Sequence, residues 1–132
     1  MSADLDEERA LYGAFLAPPT RARYLALLDA PDARRRIRAE LAHAPGLDPR
    51  YATRVEAEPS PEEIARLLRE KGAPETCYVV SEWPDFDARR LDLVVALDAI
   101  VGSGMATFFS CVPGKLAYFE DEEVGERYLL AR

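Results

Sequence analysis

The chain has few of the residues that build metal sites or disulfide frameworks. It contains one histidine, His43, and two cysteines, Cys77 and Cys111, which lack the spacing of a CxxC pair. A structural zinc site takes four cysteine or histidine ligands, and this set is too small for one. We therefore expect no metal and no cofactor, and we expect both thiols to be free in a reducing compartment.

Long apolar runs are also missing. The longest apolar stretch, residues 93–101, is interrupted by Asp98 and is far shorter than the roughly 20 residues that cross a bilayer. The first eight residues are acidic and polar, which is unlike a signal or transit peptide. These features predict a cytoplasmic protein that does not contact membranes.

The glycine-containing and acidic motifs fail when their context is checked. The Gly102-Ser103-Gly104 segment lacks a third glycine and follows a predicted helix, whereas a dinucleotide fingerprint follows a strand. The loop with Asp85 and Asp87 lacks the later ligands of a calcium loop. Pro113-Gly114 has no upstream P-loop glycine and predicts a type II turn instead.

Charge is plentiful but unevenly placed. The net charge is −7; residues 1–74 carry 12 basic and 13 acidic side chains, and residues 75–132 carry 5 and 11. An acidic surface repels phosphate backbones, so the second half argues against nucleic-acid binding. The same surface would suit a basic partner, although net charge also serves solubility.

Apolar spacing and capping residues divide the chain into a helical half, residues 1–74, and a strand-rich acidic half, residues 75–132. Helices are predicted over residues 5–16, after Thr20, over residues 31–43, and from Pro61 to the glycine at position 72. Strands are predicted over residues 77–81, 106–112, 116–119 and 128–131. Residues 91–101 fit either a helix or a buried strand, and the pattern favours a helix.

This order predicts one α+β domain spanning residues 1–132. About four helices come first and a β-α-β-β-β segment follows, so we expect the helices on one side of a small, mainly antiparallel sheet. An exposed edge strand in so short a sheet would allow a homodimer.

Three functional hypotheses follow, and the sequence favours binding over catalysis without excluding catalysis. In the first, the chain is a small acidic interaction module, of the kind that inhibits or confers immunity against a basic protein. Its contact residues would be an aromatic residue and the acidic side chains of two loops: Trp83, Asp85, Asp87, Glu120, Asp121, Glu122 and Glu123.

The second hypothesis is a small-ligand site or an enzyme, with a pocket between helix and sheet. Its groups would be His43, Ser110 and Cys111, together with Glu82 and Asp85 from the acidic loop. The third is weak nucleic-acid contact through the arginine-rich helix segment from Arg34 to Arg38.

Overall fold

The computed structural model of the chain describes residues 3–43, 46–55, 60–121 and 126–132. These ranges contain five helices: α1 (Leu5–Phe15), α2 (Pro18–Leu27), α3 (Ala33–Leu41), α4 (Pro61–Glu70) and α5 (Leu93–Ile100). They also contain six strands: β1 (Ala52–Arg54), β2 (Thr76–Ser81), β3 (Arg89–Asp92), β4 (Thr107–Val112), β5 (Leu116–Glu120) and β6 (Arg127–Ala131). The predicted α+β class is confirmed.

The six strands form one sheet in the order β1-β6-β5-β4-β2-β3, and every neighbouring pair is antiparallel. The β4–β5 hairpin closes at the predicted Pro113-Gly114 turn. There the Lys115 N–H donates to the Val112 carbonyl at 2.9 Å, and Gly114 has a positive φ of 69°. A positive φ at the third turn residue is the requirement of a type II turn.

Helices cover both faces of the sheet. The face under α1, α2 and α3 packs a first core cluster that includes Phe108, and the face under α4 and α5 packs a second that includes Phe109. Successive strand residues point to opposite faces, so these two buried phenylalanines each need a helical layer. The expectation that the helices lie on one side of the sheet is therefore wrong.

Three helices begin after a residue whose side chain accepts a hydrogen bond from the first helical turn. The side chain of Asp4 accepts a hydrogen bond from the Glu7 N–H at 3.0 Å, and the Ser60 hydroxyl accepts from the Glu63 N–H at 3.2 Å. Asp92 likewise accepts from the Val95 N–H at 3.0 Å, which confirms that residues 93–100 are helical. An N-cap acceptor satisfies one of the donors that the first helical turn leaves open.

Some predicted boundaries are wrong. Helix α2 begins at Pro18 rather than after Thr20, because proline fits the first turn, where its missing N–H is not needed. Helix α3 is shorter than the predicted 31–43, and the cap residue Asp32 pairs with arginines of the helix instead of its N–H groups.

Strands β1 and β3 were not predicted. Both are short, mostly polar edge strands without apolar alternation, so their sequences lack the usual strand pattern. They are strands because they pair with a neighbour: β1 pairs with β6, and β3 pairs with β2, where Arg90 lies opposite Tyr78.

Candidate functional site

Two acidic side chains at the start of α1 point into the protein. Glu8 is fully buried and Glu7 is 6% exposed. With 3.6 residues per turn, both positions lie on the same stripe of α1 as the core residues Leu11, Tyr12 and Phe15. Buried carboxylates require charged or hydrogen-bonding partners, and the fold supplies them from α1 itself and from α3, β2, β3 and β4.

Glu8 lies at the centre of this network. It accepts hydrogen bonds from the hydroxyls of Tyr12 at 2.7 Å and Tyr78 at 2.6 Å. The Nη1 group of Arg34 lies 2.8 Å from Oε1 and 2.6 Å from Oε2. Burial first and the Glu8 carboxylate second raise the pKa of Tyr12, so this hydroxyl stays a donor.

Arg34 of α3 joins Glu8 to the loop between β2 and β3. Its Nε and Nη2 donate to the two oxygens of Asp87, at 2.9 and 2.8 Å. Burial alone would lower the pKa of Arg34, but its hydrogen bonds to Asp87 and Glu8 outweigh burial and raise it. The guanidinium is therefore a fixed positive charge between two carboxylates.

Glu7 makes a second set of contacts beside the first. The Ser110 hydroxyl of β4 donates to Oε2 at 2.6 Å, and Arg90 Nη2 of β3 donates to Oε1 at 2.6 Å. Arg90 also lies 3.7 Å from Asp4, the cap of α1. Together, Glu7 and Glu8 tie α1 to the sheet and to α3.

A cavity of about 390 Å³ opens in front of Arg34, between α3 and the β2–β3 loop. Three arginines and one carboxylate share its wall with small apolar side chains: Arg34, Arg38, Arg89, Asp87, Ala3, Pro84 and Ala88. Its volume falls within the roughly 300–1,000 Å³ of small-molecule sites.

The predicted interaction residues take different positions. Asp87 is buried against Arg34, and Asp85 is exposed in the same loop. Trp83 is half-buried and packs edge-on against Phe86, with 4.7 Å between the ring centroids. Of these two acidic side chains, Asp85 is the one exposed to solvent.

Glu120, the last residue of β5, is also buried. It accepts hydrogen bonds from Arg127 Nε at 3.0 Å, the Tyr118 hydroxyl at 2.7 Å and the Gly102 N–H at 2.9 Å. This carboxylate is neutralised internally. Asp121 follows it at intermediate exposure, and Glu122 and Glu123 lie outside the described residues.

The groups of the predicted pocket are not brought together. His43 is exposed in the turn after α3, whereas Ser110 is buried and bonded to Glu7. Cys111, the next residue of β4, lies in the second core cluster on the opposite face. Burial raises the pKa of its thiol to about 12, which keeps it a poor nucleophile. Glu82 accepts a hydrogen bond from the Ala106 N–H at 2.8 Å.

The central residues of the network, Glu7 and Glu8, were missed by sequence reasoning. A signal was present, because both fall on the apolar stripe of α1, but acidic residues at a helix start are usually capping or solvated. Arg34 and Arg38 were noticed as a basic cluster, yet they turn inward to Asp87. Asp87 is 53 positions from Arg34 and 49 positions from Arg38 in sequence, so no local pattern could predict these pairs.

Comparison with protein-family models, with curated proteins and with solved structures finds no match to this chain. Across the described residues, no helix combines the length and apolar character needed to cross a membrane.

Proposed function

We propose that the protein is a binding module that engages a basic protein partner through an acidic surface on α4, α5 and the loops before β2 and β3. The acidic surface comprises six exposed carboxylates and one exposed apolar residue: Glu62, Glu63, Glu75, Asp85, Asp92, Asp98 and Val95. An inhibitor of a basic protein is one form that such a module takes.

The observation that carries the proposal is that these carboxylates form no ion pair with a described residue. Within the described ranges, none of the six carboxylates forms an ion pair, whereas Asp87 and Glu120 are neutralised by arginines. Residues 60–104 carry nine acidic and five basic side chains, while residues 3–43 carry seven of each. A basic partner would therefore be attracted electrostatically to residues 60–104 and only weakly to residues 3–43.

Val95 supplies the apolar contact that an interface needs. It is 59% exposed on α5, while Asp92 and Asp98 stand three residues to either side and share its side of the helix. An exposed branched apolar residue flanked by two carboxylates resembles the composition of an interface, which has an apolar centre and a polar rim.

Nucleic-acid contact through α3 receives less support. Arg34 and Arg38 face Asp87, and the exposed Arg35 and Arg36 pair with Asp32. Catalysis is also less supported, because the candidate nucleophile Cys111 is buried with a raised pKa. The free state of both cysteines supports a cytoplasmic location as part of the proposal.

The test compares two charge-matched variants. The surface variant combines Glu62→Lys with Asp98→Lys, and the control combines Asp6→Lys with Asp29→Lys on the opposite face of the sheet. Both pairs are exposed, so neither change alters the core. Each full-length chain is used to capture protein from native extract over a salt gradient, and the captured partner is purified and titrated calorimetrically.

We expect a stoichiometric basic protein that the wild type and the control retain. The surface variant should bind it about tenfold or more weakly, because each reversed charge now repels the partner. A third variant, Val95→Ser, should weaken binding without changing its salt dependence. Equal affinity for the surface variant and the control would refute the acidic surface as the contact site.

A further inference from the structure

The cavity beside Arg34 has a wall whose charges are fixed in place. Arg34 is held by Glu8 on one side and by both oxygens of Asp87 on the other. The Ser81 N–H also donates to Asp87, at 3.1 Å. These contacts fix the orientation of Arg34 and use most of its donors, so the wall is preorganised.

Two other arginines of the wall keep most of their donors open. The guanidinium of Arg38 approaches Asp87 at 3.6 Å, beyond hydrogen-bond distance, and forms no hydrogen bond to the described residues. Arg89 uses one N–H, which donates to the Asp85 carbonyl at 2.9 Å. Each guanidinium has five N–H donors in a planar fork that matches the geometry of a carboxylate or a phosphate.

The local charge favours an anion with one negative charge. Arg34, Arg38 and Arg89 contribute three positive charges, and Asp87 and Glu8 contribute two negative charges, which leaves one positive charge unmatched. A carboxylate balances it, whereas a doubly charged phosphate would leave an excess negative charge in a half-enclosed site.

The remaining wall is small and apolar. Ala3, Pro84 and Ala88 leave room for a short aliphatic or amide group beside the charged end. Ala88 has a positive φ of 58°, a backbone conformation that is uncommon for residues other than glycine. This turn separates Asp87, which is buried, from Arg89, which lines the opening.

We infer that this cavity binds a small organic carboxylate, with the carboxylate held between Arg38 and Arg89 and the apolar part against Pro84 and Ala88. Arg34 and Asp87 position the wall and do not themselves need to release their contacts. The cavity wall shares the β2–β3 loop with the acidic surface but none of its residues, so each proposal is tested by its own variants and either can fail without the other.

The experiment titrates the ¹⁵N-labelled full-length chain and follows the Nε–H signals of the arginines by NMR at constant ionic strength. The probes are N-acetylalanine, its uncharged amide N-acetylalanine amide, inorganic phosphate, and an acetylated alanine tripeptide with a free carboxyl end. The variants are Arg38→Gln and Arg89→Gln. The matched control is Arg35→Gln, which alters an exposed arginine of the same helix as Arg38.

We expect saturable shifts at Arg38 and Arg89 with N-acetylalanine and none with its amide. Each glutamine variant should weaken binding about tenfold or more, because it removes charge-assisted hydrogen bonds, and Arg35→Gln should leave it unchanged. Tighter binding of the tripeptide would assign the carboxylate to a peptide end, and equal binding would assign it to a free small acid. No saturation by N-acetylalanine, or tighter binding of phosphate, would overturn the inference.

Discussion

Replacing Glu8 by glutamine tests whether the buried network stabilises the fold. Both carboxylate oxygens of Glu8 accept hydrogen bonds from groups that donate: the hydroxyls of Tyr12 and Tyr78 and the Nη1 group of Arg34. In Glu8→Gln, one oxygen becomes an NH₂ group that faces these donors. The substitution also removes one of the two negative charges that neutralise Arg34.

Glu8→Gln should lower the free energy of unfolding by a large amount, although it changes few atoms. Breaking a buried ion pair by removing one partner costs about 3–5 kcal/mol, out of a total stability of about 5–15 kcal/mol. For a domain of this size, the loss corresponds to a fall in Tm of about 10–20 °C. The matched control is Asp6→Asn, in the same turn of α1, whose side chain is 99% exposed and should cost less than about 1 kcal/mol.

The assay is urea unfolding followed by far-UV circular dichroism, with thermal unfolding as a second readout. Glu8→Gln should lower the midpoint at an unchanged m value. The Tyr78→Phe change should cost less in the Glu8→Gln background than in the wild type, because the two residues share a hydrogen bond. If Glu8→Gln is as stable as Asp6→Asn, the network does not contribute to stability and the reasoning is wrong.

Two further changes follow from burial and backbone geometry. Burial raises the pKa of Tyr78, so the folded state resists its ionisation. The stability that Tyr78 contributes should be constant below about pH 10 and be lost above it, so Tyr78→Phe should lose stability less steeply than the wild type above that pH, as measured by urea midpoints across alkaline pH. Gly13 lies inside α1, and a methyl group added there would meet no atom of another element within 4 Å. Gly13→Ala should therefore raise the free energy of unfolding in urea by about 0.5–1 kcal/mol, because alanine favours the helix over glycine. A lower free energy of unfolding would show that α1 cannot accept a methyl group there.

Local sequence chemistry determined the starts of α1, α4 and α5 and the turn of the β4–β5 hairpin. Asp4, Ser60 and Asp92 each cap the helix that follows them, and Pro113-Gly114 forms the hairpin turn. These features depend on residues within three or four positions of each other, so pattern and side-chain chemistry suffice to predict them. The switch from a helical to a strand-rich half is visible for the same reason.

The unpredicted strands and the paired charges depend on distant parts of the chain. Arg90 belongs to a strand because it pairs with Tyr78, and its charge is balanced by Glu7, which is 83 positions away. The sequence predicts that Asp87 is an exposed loop residue, and only the fold brings Arg34 within hydrogen-bond distance of it. A single side chain does not reveal which opposite charge it will meet, so these roles could not be predicted.

By itself, the sequence determined the α+β class, the capped helices and the acidic balance of the second half, because composition and short-range spacing control these properties. The tertiary structure decided which charges are exposed. It buried Glu7, Glu8, Asp87 and Glu120 against arginines and left the carboxylates of the acidic surface unpaired within the described residues. Charge pairing acts over ångströms in space, and only the folded chain sets those distances.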